Sequence, residues 1–251
     1  MITTVLFDMG GTLEDIWVDE ESHTAAVAAL DRMLKGWGLD TGLSAETLRE
    51  AVTRGWKRYD TIRVPYDVEL KPVEIWCDYI LTEFDFPREA LAPHCEEIAH
   101  MWEVTYFHRR LRPRAADMLA ELAAMGLKLG VISNTAALYQ VFDSLEEYGI
   151  RDYFRDITLS SVTGFRKPSR DIFTVSLRQM QSRPEECVYV GDTVSRDVIG
   201  SKKAGFAAAI QIGSRLTREK DEKLEDALKP DIVIDDIYDV AGAVRTLMGE
   251  G

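Results

Sequence analysis

Apolar residues fall along the chain in two patterns. The first is a set of short runs with little polar alternation, at residues 4–7, 127–132, 157–159, 187–190, 208–212 and 232–234. Most are rich in β-branched residues, and runs of this kind suit strands covered on both faces. The second is helical, with apolar positions recurring every three or four residues through 114–125, 136–148, 171–180 and 197–204. Gly126, Gly149 and Gly205 follow three of these stretches, where a left-handed residue closes a helix at little steric cost. Strand alternating with helix predicts a parallel α/β sheet.

Residues 16–109 break that rhythm. Helix follows helix, over 21–36, 45–59, 73–84 and 88–103. Leu30, Leu34 and Trp37 recur at helical spacing, as do Val73, Trp76, Cys77 and Ile80, while Pro65, Pro72 and Pro87 fall between these helices or at their starts. The pattern predicts an all-helical module, 16–109, inserted after the first strand, with hinges near 13–17 and 107–113. The α/β core is then built from 1–15 and 110–251. No internal repeat or low-complexity tract interrupts this organisation.

Composition narrows the function. Hydrophobic residues make up 46% of the 251, enough to bury a sizeable core and to exclude a disordered or fibrous chain. With 30 Lys and Arg against 43 Asp and Glu, the formal charge is −13, which argues against general affinity for nucleic acid or anionic lipid. A small phosphorylated ligand remains compatible, because a buried site can be locally positive. No apolar run approaches the roughly 18 residues that span a bilayer, and the first residues carry no basic segment or cleavage site of a leader. Cys77, Cys95 and Cys187 are scattered and form no disulfide framework. These features together predict a soluble, reduced, cytoplasmic protein.

Candidate chemistry lies where strands end, the usual ligand position in an open parallel sheet. The first strand runs into Asp8-Met9-Gly10-Gly11-Thr12-Leu13, a carboxylate followed by two glycines that let backbone N–H groups approach an anion. The second ends in Ser133-Asn134-Thr135, whose polar groups suit phosphate oxygens and equally suit the N-cap of the next helix. Gly164-Phe165-Arg166-Lys167-Pro168 follows the third, with a lysine able to neutralise an anionic centre. The strand at 187–190 ends in Gly191-Asp192-Thr193-Val194-Ser195-Arg196-Asp197, and carboxylates at 192 and 197 suit a hard cation or a helix cap.

Taken together and in this order, these strings resemble the haloacid dehalogenase-like hydrolase superfamily, over nearly the whole chain and including a helical cap. The resemblance implies a Rossmann-like parallel sheet core with an inserted cap domain and a Mg²⁺-dependent phosphatase acting on a small phosphorylated metabolite. It implies Asp8 as the nucleophile that becomes an aspartyl phosphate. Gly11, Thr12, Ser133 and Asn134 would hold the transferring group, and Lys167 would steady both Asp8 and the phosphoryl oxygens. Mg²⁺ would be bound by Asp8, the backbone carbonyl of Gly10 and Asp192, with Asp197 binding or orienting that site.

One position departs from the superfamily pattern. Its phosphatases usually carry a second aspartate, a general acid and base, two residues after the nucleophile, and here that residue is Gly10. Loss of such an acid typically costs about 10²–10⁴ in rate for a leaving group that needs protonation. The chain is therefore expected to act on a good leaving group, such as an acyl or aryl phosphate, or to recruit Glu14, Asp15 or a cap residue. The alternatives are chemistry of the dehalogenase or phosphonatase type, the latter using Lys35, Lys57 or Lys71, or a catalytically impaired binding protein. Retention of Gly191-Asp192 weighs against dehalogenation.

The remaining features read as packing or solvated surface. His94, Cys95 and His100 match no zinc spacing. Arg54, Lys57 and Arg58 share a helical face, and Arg109, Arg110, Arg112 and Arg114 cluster at the second hinge, where they could draw in an anion. Trp56, Trp76 and Trp102 are expected in the interior of the cap. Residues 60–73, with Arg63, Tyr66 and Lys71, are the expected specificity loop.

Overall fold

The computed structural model describes residues 1–214 and 228–249. The strands are β1 (Thr4–Phe7), β2 (Glu14–Trp17), β3 (His108–Leu111), β4 (Lys128–Ser133), β5 (Phe154–Leu159), β6 (Cys187–Gly191), β7 (Ala208–Ile212) and β8 (Ile232–Ile234). The helices are α1 (Glu20–Gly36), α2 (Ala45–Tyr66), α3 (Pro72–Ile75), α4 (Arg88–Leu91), α5 (Cys95–Tyr106), α6 (Ala115–Ala124), α7 (Gln140–Glu147), α8 (Ser160–Thr163), α9 (Arg170–Met180), α10 (Ile199–Ala204) and α11 (Asp239–Met248). No described helix is long and apolar enough to cross a membrane.

Six strands form one sheet in the order β5-β4-β1-β6-β7-β8, every pairing parallel. The apolar runs of β1, β4, β6 and β7 are covered on both faces, as their lack of alternation predicts, while Val233 of the edge strand β8 is exposed. Val5, Phe7, Val131 and Val190 pack with α6, α7 and α11, while Leu6, Ile132 and Tyr189 face Ile172, Phe173 and Phe206 on the other side. The chain winds outward from β1 to β4 and β5, then returns across β1 to β6. That reversal opens a crevice at the carboxyl ends of β1, β4 and β6, the ligand position of doubly wound sheets.

Helices α1 to α5 lie between β2 and β3 and carry a second apolar cluster around Leu30, Leu34, Val52, Trp76 and Ile98. Asp19 starts α1 by accepting from the Ser22 N–H at 2.8 Å while the Ser22 hydroxyl accepts from the Asp19 N–H, a reciprocal cap. The two hinges are strands, β2 and β3, paired antiparallel from Glu14–Leu111 to Trp17–His108. Among the helical expectations, that over 45–59 runs on to Tyr66, so Pro65 sits inside the last turn rather than between helices, and Asp67 closes the helix at φ 51°. The expected 88–103 helix divides at a tight turn, Ala92–His94, because Pro93 has no N–H to continue the ladder. The 136–148 helix begins only at Gln140, since the N–H groups of Leu138 and Tyr139 are bound by Glu96 of α5. The 197–204 stretch opens as a wide turn over Val194–Val198 before α10.

The 73–84 stretch is likewise divided, into α3, a wide π turn at Trp76–Ile80 and a short turn at Thr82–Phe84. Here Gly55 is required. A Cβ at that position would stand 2.6 Å from the Cα and carbonyl oxygen of Ile80, backbone atoms that cannot rotate away. Gly55→Ala should therefore lower stability by about 1–3 kcal/mol through overpacking, read as a drop in the urea midpoint with the denaturant slope unchanged. A midpoint equal to the parent would show that the two segments can separate freely. Cys77 and Cys95, expected to be scattered, meet across this region with sulfurs 3.6 Å apart as free thiols.

Candidate active site

Four strand-end strings converge at the crevice. Asp8 follows β1 and its N–H donates to Val190 O at 2.9 Å, which ties the loop after β1 to β6. The next turn is closed by its own backbone, with Gly11 N–H on Glu14 O at 2.8 Å and Thr12 N–H on Met9 O at 3.2 Å. Arg112, from the second hinge, donates to Gly11 O at 2.7 Å and so fixes the same turn from outside.

Lys167 is the centre of the arrangement. Its ammonium lies 2.7 Å from Asp8 Oδ1 and 2.7 Å from Asp197 Oδ1, and donates to the Tyr189 hydroxyl at 2.9 Å. Asp197 is otherwise saturated, because Oδ2 accepts from the Thr193 N–H and hydroxyl at 3.0 and 2.6 Å. All three charged groups are buried. Burial pushes the Asp8 carboxyl up, with Asp197 adding to the effect, and Lys167 offsets only part of it. Burial acts on Asp197 as well, but Lys167 and Thr193 outweigh it and hold that carboxyl below its ordinary value. Burial disfavours the Lys167 cation, yet its two carboxylates prevail and its pKa rises.

Asp8, Asp192 and Asp197 each offer an oxygen within 4.8 Å of the others. A set of hard oxygen donors suits a cation such as Mg²⁺. Gly11 makes the approach possible: with φ +96°, it leaves a place where a Cβ would stand 2.4 Å from Asp192 Oδ2. Gly191 does the same for Asp197, again with 2.4 Å to a would-be Cβ. Gln211 and Ser214 also reach Asp192, at its carbonyl and Oδ2 respectively.

A cavity of about 240 Å³ stands over this cluster, lined by Asp8, Gly10, Ser133, Asn134, Lys167 and Asp192 among others. The expected residues outside that lining are Gly11, Thr12 and Asp197. Gly11 serves the approach of Asp192, the Thr12 hydroxyl is wholly buried without a partner among the described residues, and Asp197 stands behind Lys167. Asn134 faces the cavity, but its amide is committed: it accepts from the Lys167 N–H at 2.9 Å and donates to Lys167 O at 3.1 Å. It acts on the site by fixing the backbone that carries the lysine.

Several lining residues were singled out in the sequence without being assigned to the site. Arg63, Arg109, Arg166 and Arg196 bring the cationic side chains to five, with Lys167, against three carboxylates, Asp8, Asp192 and Glu103. Cations thus outnumber carboxylates in the cavity wall of a chain of net charge −13, while Glu14, Glu69 and Asp197 behind that wall pair with three of them. Arg109 ion-pairs with Glu14 and, at 2.6 Å, with Glu103 of α5. Arg166 ion-pairs with Glu69, a wholly buried carboxylate that also accepts from Tyr59 at 2.7 Å and Ser160 at 2.9 Å. The backbone beside Glu69 bridges Val68 to Phe165, so the segment after α2 is stitched to the loop that leads into Lys167. Of the expected specificity stretch, Arg63 lines the cavity, while Tyr66 is exposed and Lys71 binds the carbonyls of Ser161 and Val162.

The other readings sort as follows. His94 stacks on Trp37 at 3.9 Å and His100 pairs with Asp143, and neither belongs to a candidate metal cluster among the described residues. Arg54 and Arg58 pair with Glu83 on the surface. Trp76 and Trp102 are buried in the helical cluster and Trp56 packs against it, as expected, and Trp56 and Trp102 also line a second cavity. Lys35, Lys57 and Lys71 are absent from the lining of the Asp8 cavity.

The family model for haloacid dehalogenase-like hydrolases matches residues 2–205. A glyceraldehyde 3-phosphate phosphatase from Methanopyrus kandleri is 30% identical over 98% of this chain and 99% of its own. Two solved structures share the fold: a 2-haloacid dehalogenase from Pseudomonas syringae pv. tomato, with TM-score 0.66 and 24% identity over 98% of this chain and 99% of that one, and a phosphatase from Thermococcus onnurineus, with TM-score 0.62 and 22% identity over 99% of both. The chain belongs to the haloacid dehalogenase-like hydrolases and is an enzyme of that family.

Proposed function

We propose that the protein is a phosphatase of a small phosphorylated metabolite, with Asp8 as nucleophile and residues 16–109 as a cap over the site. The observation that carries this reading is Lys167 held between Asp8 and Asp197 inside a cation-rich cavity. A carboxylate attacking an anionic phosphate is repelled unless cations bring the two together, and Lys167 is positioned for that. Ser133 and the side chains of Arg63 and Arg196 supply further donors around the phosphoryl oxygens. Asp8, Asp192 and the Gly10 carbonyl would hold Mg²⁺, which supplies charge neutralisation at the transferring group; Asp197 orients Lys167. Phosphate release from a panel of phosphate esters, with Mg²⁺ and with EDTA, tests the reading. Turnover that survives EDTA would remove the metal from it.

Gly10 makes the chemistry of the leaving group decisive. Its φ is not positive, and a Cβ there would meet Ile16 at 3.5 Å and Glu14 Oε1 at 3.7 Å, ordinary contacts. A Cβ is therefore accommodated, and a side chain there would start beside Glu14, whose own carboxyl is pushed up by burial against the opposing pull of Arg109. A neighbouring carboxylate favours the protonated form of the new acid. Gly10→Asp should raise turnover of alkyl phosphates by up to about 10² while changing aryl phosphates little. Equal rates on aryl and alkyl esters in the unmodified protein, with chemistry limiting, would mean that a proton donor is already present. Asp15 is turned to Arg110 and Arg112 and lies outside the cavity lining, so Glu103, which lines it, would be the position to replace.

A further inference from the structure

Next to the Asp8 cavity is a larger one, of about 860 Å³, between β2, α1, α2 and α5. The two share Ile16, Arg63, Glu103 and Phe107 in their walls, so the second opens where the leaving side of a bound phosphate ester would point. Its walls are aromatic. Trp102 and Tyr106 stack at 5.2 Å, His23 meets Tyr106 edge-on at 5.1 Å, and Trp56 completes the row 6.4 Å from Trp102. The Arg63 guanidinium lies 5.2 Å over the Trp56 ring, held there by Asp60 at 2.6 Å.

Resting on the phosphatase reading above, we propose that the substrate is an aryl phosphate monoester whose aromatic leaving group occupies this chamber. Two independent features meet in that assignment. The chamber is far larger and more aromatic than a triose requires, and lies within the range of about 300–1,000 Å³ for sites that enclose drug-sized ligands. Gly10 removes the proton donor that an alkoxide leaving group needs and a phenolate does not. In the first step an Asp8 oxygen forms a bond to phosphorus as the phosphorus–aryl oxygen bond breaks. The electron pair leaves on the phenolate, which takes its proton from solvent. Water then attacks the phosphorus of the aspartyl phosphate. Its oxygen is retained in inorganic phosphate, its proton goes to phosphate or solvent, and the Asp8 carboxylate is regenerated.

The test uses the full chain with Mg²⁺ and four substrates: 2-naphthyl phosphate, acetyl phosphate, glyceraldehyde 3-phosphate and a nucleoside 5′-monophosphate. The kcat/KM for naphthyl phosphate should exceed that for the two alkyl esters by at least about 10²-fold. Filling the chamber with Thr53→Trp should lower the ratio of naphthyl to acetyl phosphate kcat/KM tenfold or more, mainly through KM. In the parent protein 2-naphthol should quench tryptophan fluorescence and compete with naphthyl phosphate. Preference for either alkyl ester, the nucleotide included, would overturn the proposal, as would an unchanged ratio in a folded Thr53→Trp. Should that variant not fold, absence of naphthol quenching and competition in the parent overturns it. Failure to hydrolyse any substrate, acetyl phosphate included, would instead sink the phosphatase reading, while naphthol quenching still reports on the chamber.

Discussion

Asp8→Asn should abolish phosphate release, by about 10⁴-fold or more, and leave the protein folded and no less stable. The amide cannot attack phosphorus, yet it matches the carboxylate in shape. Its neutrality also removes a cost. Burial, with Asp197 nearby, raises the Asp8 carboxyl above its ordinary value, so the ionised form is disfavoured in the folded protein. For an acid whose folded pKa is raised, its favourable contribution is present below the unfolded value and lost as pH rises through the folded one. In EDTA at neutral pH the Asn variant should accordingly melt at or above the parent temperature, and the difference should shrink as pH falls into the carboxylate range. Thermal scans across pH and quenched-flow phosphate assays check both halves. Activity above a few per cent, with deamidation excluded by intact mass, would remove Asp8 from the nucleophile's role.

The central strands β1, β4, β6 and β7 were legible because they are mainly apolar and almost wholly buried, whereas β5 at one edge carries Arg155 and Asp156, which hid its first half. The same reasoning could not find β2 and β3. Glu14-Asp15-Ile16-Trp17 and His108-Arg109-Arg110-Leu111 are charged, and what makes them strands is their pairing across about ninety residues of insert, a long-range contact. Asp8, Lys167 and Asp192 were legible only as a set, from strings that follow successive strands in order. The role of Asn134 was hidden, since its partners are backbone atoms of Lys167 that any sequence would offer. The aromatic chamber was least legible. Ile16, Trp56, Trp102 and Phe107 come from separate elements, each consistent alone with interior packing, and only their meeting leaves a space between them.

Lys167→Met is expected to damage both stability and turnover, and pairing it with a second change separates the two. The substitution leaves Asp8 and Asp197 with carboxylate oxygens within 4.8 Å of each other and no cation between them. Removing one partner from a buried ion pair typically costs about 3–5 kcal/mol, because the remaining charge is left uncompensated. Turnover should fall by about 10³ or more, since the ammonium would no longer neutralise the approach of Asp8 to phosphate. Adding Asp197→Asn takes away one of the stranded charges and keeps the Thr193 contacts within reach of an amide oxygen. Much of the lost stability should return in the double variant, seen in urea denaturation, while phosphate release stays at the level of Lys167→Met. Recovery of turnover together with stability would mean that Lys167 serves only to balance buried carboxylates. Recovery of stability alone assigns the lysine to the reaction itself, with Asp197 as the group that aims it.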